Sequence, residues 1–115
     1  MAGSLIKSGD VQRLHLLGRD GVKLGAVREM FVDLASGRIE FIIVEAGGLL
    51  GASGKFHPAP WSVVRYDAVA GSFQADLSKD EFKSSPSYDR DQLADASYAW
   101  QEQAVRYFAG GLSRS

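Results

Sequence analysis

The run Arg38-Ile39-Glu40-Phe41-Ile42-Ile43-Val44-Glu45-Ala46, entered through Ala35-Ser36-Gly37, decides how this chain folds. Period-2 alternation puts Ile39, Phe41 and Ile43 on one face of a strand and Ile42, Val44 and Ala46 on the other, so both faces are apolar. A small barrel covers only the inner face of its strands, and the outer face needs a second layer. The helix that ends the chain and a second copy of the protein are the two candidates for it. Gly37 suits the left-handed position of a three-residue hairpin loop, which joins this strand to the one before it, Lys23 to Leu34. There Leu24, Ala26, Met30, Val32 and Leu34 share one face, with Gly25, Val27, Glu29, Phe31 and Asp33 opposite, and one of these faces is expected to be core.

Working outward, Arg13 to Leu17 alternates weakly, and Gly18-Arg19-Asp20-Gly21 supplies a turn in which Gly21 takes a positive φ. Downstream, Gly47 to Gly54 reads as a flexible loop, and Lys55 to Trp61 as an extended segment whose pairing is limited by Pro58 and Pro60. Ser62 to Asp67 and Ser72 to Leu77 form a last hairpin around Ala68-Val69-Ala70-Gly71. Five or six short strands result. The composition changes near Ser78, which opens a short helix as N-cap with Glu81 completing a capping box, until Pro86 stops it. Asp89 with Gln92 repeats a looser cap before a helix from about Arg90 to Ala109. In that helix Leu93, Ala96, Trp100, Ala104 and Tyr107 form one stripe, widened by Phe108; Gly110-Gly111 ends it and residues 112–115 are expected to fray. The plan is therefore an extended or disordered residue 1–8 segment, a β-barrel over 9–77 and a helical extension over 78–115.

One domain is all that 115 residues allow. Thirteen Lys plus Arg against 14 Asp plus Glu give a net charge of −1, so there is no global basic field to gather nucleic acid or an anionic membrane. The absence of cysteine removes disulfides, thiolate metal sites and Cys nucleophiles together. The start Met1 to Asp10 lacks the basic and apolar regions of a secretory signal, and nothing approaches the ~20 apolar residues of a membrane span. A cytoplasmic location is the expectation, with peripheral attachment at the inner membrane compatible with it.

Several stretches together resemble the PRC-barrel family, which includes the cytoplasmic part of the photosynthetic reaction-centre H subunit and the ribosome maturation factor RimM. They are Asp20-Gly21-Val22-Lys23-Leu24-Gly25-Ala26-Val27, Val32-Asp33-Leu34-Ala35-Ser36-Gly37-Arg38-Ile39, Gly47-Gly48-Leu49-Leu50-Gly51 and Pro60-Trp61. Phe82 followed by Pro86-Ser87-Tyr88-Asp89-Arg90-Asp91 is similar to the short tail of bacterial stand-alone members. The resemblance implies a mainly β fold: a small, partly open antiparallel barrel of five or six strands followed by a C-terminal α-helix. It also implies an adaptor or assembly module with no catalytic residues and no cofactor. A membrane helix like that of the reaction-centre subunit and an N-terminal domain like that of the ribosome factor are not expected from these 115 residues.

The residues themselves offer little chemistry. Gly47 to Lys55 is Gly-rich and ends in Gly54-Lys55, but Phe56 follows the lysine and Pro58 and Pro60 forbid the helix that a phosphate-binding loop requires. His15 and His57, the only imidazoles, lack ligand spacing for a metal and read as partly buried structural residues. Asp89, Asp91 and Asp95 fit capping and the dipole at a helix N-terminus better than an acid/base pair or a calcium loop. Ser84, Ser85 and Ser87 have no His near them in sequence, which leaves a serine nucleophile without a base. Tyr98, Trp100, Tyr107 and Phe108 with Arg106 could stack bases, yet aromatics at helical spacing usually bury against their own domain or a partner copy.

The expected function is a non-catalytic module that docks onto another protein or a membrane-associated complex and associates with itself. Leu49, Leu50, Ile42, Val44, Trp100, Tyr107 and Phe108 are its candidate contact surface. RNA- or ribosome-linked binding is the alternative, and a small-ligand site in the Gly47 to Lys55 loop a third.

Overall fold

A computed structural model describes residues 5–48, 51–95 and 98–111. A 3₁₀ turn, Ser8–Arg13, leads into six strands: β1 (His15–Leu17), β2 (Lys23–Asp33), β3 (Arg38–Gly48), β4 (Gly51–Pro60), β5 (Val64–Asp67) and β6 (Ser72–Ala75). They form one sheet in the order β4-β3-β2-β1-β6-β5, whose end strands do not pair among the described residues, so the barrel is partly open. Every pair is antiparallel except β1 with β6, which run parallel. Three helices follow: α1 (Lys79–Ser84), α2 (Arg90–Ala94) and α3 (Trp100–Gly111). The expectations for residues 1–4, for Ala96 and for fraying at 112–115 lie outside the described residues.

The turns form as their residues dictate. Gly37 has φ 76° and closes the β2–β3 turn, where the Asp33 carboxylate accepts from the Ser36 hydroxyl at 2.7 Å. Gly25 answers a different demand, because a Cβ there would lie 2.4 Å from the Glu45 carbonyl oxygen of β3. Gly25→Ala should therefore lower stability by about 1–3 kcal/mol, measured by urea unfolding, since backbone rather than a flexible side chain must yield.

The β3 strand is buried on both faces, and the two faces feed two cores. Ile42 and Val44 join Leu16, Val27, Phe73 and Leu77 inside the barrel, and Phe82 from α1 enters the same cluster at 1% exposure. Phe41 and Ile43 join Phe56, Leu93, Trp100 and Ala104 on the outer side. The second layer is thus the chain's own α2 and α3. A strand interior this apolar contributes about 1.5–3 kcal/mol per buried large side chain, so neither face could be left open to water.

Four expectations are corrected. The regular alternation assigned to β2 fails, because bulges shift the register between Val27 and Glu29 and again between Phe31 and Val32. Val27 consequently sits in the barrel core, while Val32 and Leu34 are exposed. The Gly47 to Gly54 segment is largely ladder rather than loop, with Gly47 opposite Ala52 and Gly48 opposite Gly51. Pro58 and Pro60 do not interrupt pairing with β3, because β4 is an edge strand and its outer side needs no amide donors there. Tyr88 covers part of that edge by exchanging backbone hydrogen bonds of 2.9 Å with Phe56.

The fourth correction concerns the helix from Arg90 to Ala109, which is two helices. Asp95 leaves α2 at ψ 125° and Tyr98 takes φ 49°. The break turns Trp100 into the outer cluster, where its ring lies edge-on to Phe31 at 5.0 Å and Phe41 at 5.1 Å. Its indole N–H donates to the Leu93 carbonyl at 3.3 Å, an acceptor that an unbroken helix would have used for its own ladder. Left-handed backbone at a tyrosine costs of order 1–3 kcal/mol, which the burial of one tryptophan offsets.

Candidate functional site

The bulge in β2 leaves Arg28 outside the ladder, since Val27 pairs with Val44 and Glu29 with Ile43. Its guanidinium is thereby aimed at Glu45, whose side chain is only 7% exposed: Arg28 Nε donates to Glu45 Oε1 at 2.9 Å. The second carboxylate oxygen accepts the Gly54 amide, also at 2.9 Å. Burial pushes the Glu45 pKa up, but the Gly54 amide, Arg28 and nearby Arg90 outweigh it and hold the carboxyl below its usual range. Beside this network a pocket of about 260 Å³ opens between β2 and α2, with Phe31, Phe56 and Leu93 as its apolar part and Arg28, Glu29 and Arg90 as its polar part.

Two larger grooves run along α3. One, of about 610 Å³, is bounded by Phe31, Val32, Leu34, Glu40 and Tyr98, and the other, of about 540 Å³, by Arg38, Ile39, Trp61, Val63 and Val105. Val32, Leu34, Tyr98 and Val105 are the exposed apolar side chains here. Of these positions only Tyr98 was considered as a contact from the sequence, as a base-stacking aromatic; Val32, Leu34 and Val105 were not. Leu34, read from the sequence as the end of a strand, lies in the β2–β3 turn.

Several residues expected at the surface are elsewhere. Ile42 and Val44 are fully buried in the barrel core, Trp100 lies in the outer cluster and Phe108 in the inner one, so these four offer nothing to a partner. Both clusters claim them because α3 packs on the chain's own sheet. Tyr107 is half-buried and donates its hydroxyl to the Glu81 carbonyl at 2.7 Å, fixing α3 to α1. Leu49 and Leu50 lie outside the described residues.

A serine does lie beside a histidine, contrary to the expectation from sequence spacing. Ser85 Oγ is 2.9 Å from His57 Nδ1, brought there by α1 folding back across β4. The hydroxyl donates to the Phe82 carbonyl at 2.6 Å, so the ring nitrogen is the donor in its contact with Ser85 and takes no proton from it. Both residues are 4% exposed and His57 stacks 4.4 Å from Phe82, which makes the pair a buried strut rather than a nucleophile and its base. Burial lowers the His57 pKa to about 4. His15 is half-buried, its pKa lowered by burial and by Lys23 and Arg28. No group of three or more potential metal ligands occurs among the described residues. Asp89 caps α2 by accepting from Gln92, whereas Asp95 stands at its C-terminal end, not in an N-terminal turn.

The partly open barrel closed at one end by a short capped helix finds its counterpart in sequence space: the family model for the PRC-barrel domain matches residues 5–82. The chain belongs to the PRC-barrel family. The match ends at Phe82, the side chain that α1 inserts into this PRC barrel. Among solved structures, that of a candidate 16S ribosomal RNA processing protein, RimM, from Pseudomonas aeruginosa is similar at 18% identity and a TM-score of 0.42. The alignment covers 70% of this PRC-barrel chain and 49% of that one, so this chain spans about half of its length. No curated protein matches. No helix among the described residues is long and apolar enough to cross a membrane.

Proposed function

We propose that this PRC-barrel chain is a non-catalytic binding module that docks onto another protein, on the cytoplasmic side and in the setting of a larger assembly. The observation that carries this reading is the division of its side chains. His57, Ser85 and the aromatic stripe of α3 are used up internally, while Val32, Leu34, Tyr98 and Val105 stay exposed along two grooves. Exposed apolar side chains gathered along concave surface favour a protein partner. The chain's net charge of −1 disfavours the RNA-binding alternative.

Immobilised protein should retain a partner from cell extract equally well before and after ribonuclease treatment, with cross-links at Leu34 and Val105. Leu34→Asp should reduce the retained amount at least tenfold without changing stability, because Leu34 is 93% exposed. Retention that disappears with ribonuclease would replace this reading by RNA binding.

A further inference from the structure

The pocket between β2 and α2 differs from the grooves in carrying fixed cations. Among the described residues the Arg28 guanidinium is engaged through Nε, with Glu45, and 42% of that side chain is exposed. The Arg90 guanidinium lies over the Phe56 ring, 5.2 Å from its centroid, with no hydrogen bond or ion pair among the described residues. The bulge and Glu45 hold the first guanidinium in place, and the aromatic ring holds the second, so both lose little freedom on meeting an anion. Between them Phe31 and Leu93 form an apolar wall.

The volume, about 260 Å³, falls below the roughly 300–1,000 Å³ typical of small-molecule sites and suits a side chain with its neighbour. The donors left over decide which side chain. The Glu45 carboxylate is already taken up by Arg28 Nε and the Gly54 amide, so the outward nitrogens of Arg28 and the Arg90 guanidinium, with Glu29 as the one carboxylate among the lining residues, offer their donors to a single anionic group. A polyanion would meet Glu29 and a chain of net charge −1. Phe31 also borders the 610 Å³ groove with Leu34 and Tyr98, so one extended segment can run from the groove into the pocket.

Resting on the protein-docking reading above, we infer that this pocket receives a Glu or Asp side chain of the partner. Its carboxylate bridges Arg28 and Arg90, and an adjacent apolar residue packs on Phe31 and Leu93. Bidentate guanidinium–carboxylate geometry supplies the specificity and the apolar wall the remaining contact.

The test is a titration of ¹⁵N-labelled protein with acetyl-Leu-Glu-Leu-amide and, separately, with acetyl-Leu-Gln-Leu-amide. The Glu peptide should shift residues 28–31, 56 and 90–94 at concentrations on the order of millimolar, and the Gln peptide should bind at least tenfold more weakly. Arg90→Gln should lose at least tenfold in affinity for the Glu peptide while keeping the remaining spectrum, and Arg106→Gln should lose nothing. Equal binding of the two peptides, or wild-type affinity in Arg90→Gln, would overturn the inference. Tighter binding of an oligouridylate at the same residues would overturn it in favour of a phosphate site. A partner from extract that Arg90→Gln retains in full would refute the pocket and leave the docking reading standing, whereas no partner for the wild-type protein would refute the docking reading itself.

Discussion

Trp100→Ala should cost about 3–5 kcal/mol of folding stability, a large share of the 5–15 kcal/mol typical of a domain this size. The substitution empties the centre of the outer cluster, where the indole contacts Phe31 and Phe41 and donates to Leu93. It also removes the reason for the helix break, since the left-handed Tyr98 is held by the same aromatic group. Urea unfolding followed by Trp61 fluorescence reads the change. Trp100→Phe keeps most of the buried area but not the donor and should fall between the two. Val105→Ala, on the exposed side of the same helix, should change stability by less than about 0.5 kcal/mol. A Trp100→Ala loss below 1 kcal/mol would mean that α3 does not seal the outer face.

Acid should destabilise the fold through His57 more than through any other single imidazole. The ring is buried and neutral, with a pKa lowered by burial from 6.5 to about 4. The unfolded chain therefore binds a proton near pH 6.5 that the folded chain refuses until about pH 4. Stability from this group is fully present above pH 6.5 and declines as pH falls through that window, by ~3 kcal/mol in all. Carboxylates with lowered pKa values, Asp33, Glu45 and Asp76, add losses of the same sign at the acid end. His57→Gln isolates the histidine: the variant's stability deficit relative to wild type should shrink by about 3 kcal/mol between pH 7 and pH 4. Parallel stability curves would show that His57 titrates alike in both states.

Much of this architecture is written locally. The alternation of β3 announces burial on both faces, Gly37 announces the turn, and Ser78 with Glu81 forms the capping box seen in the structure. What escaped notice depends on contacts made far along the chain. Leu24, Val27 and Met30 recur every third residue, a departure from period 2 that hints at a bulge but does not locate it. The stripe Leu93 to Trp100 is as good for one helix as for two, and only the demand of Phe31 and Phe41 for the indole selects the break. His57 and Ser85 stand 28 residues apart and meet because α1 folds across the barrel end, which no local pattern encodes. The Arg28–Arg90 pocket was hidden for the same reason, as its two cations come from a bulge and from the first turn of α2.

That α2 and α3 cover the outer face of their own barrel, leaving Phe31 and its neighbours as the edge of a docking surface, can be measured directly with a spin label. The chain has no cysteine, so Glu102→Cys on the exposed side of α3 gives one unique attachment point for a nitroxide. In the uniformly ¹⁵N-labelled, spin-labelled protein the amides of Phe31, Phe41 and Phe56 should be broadened. An equal mixture of ¹⁵N-labelled protein without the nitroxide and unlabelled protein carrying it should show no broadening at those amides. Broadening in the mixture would place the helix on a second copy, and its absence from both samples would show that α3 does not dock on the sheet at all.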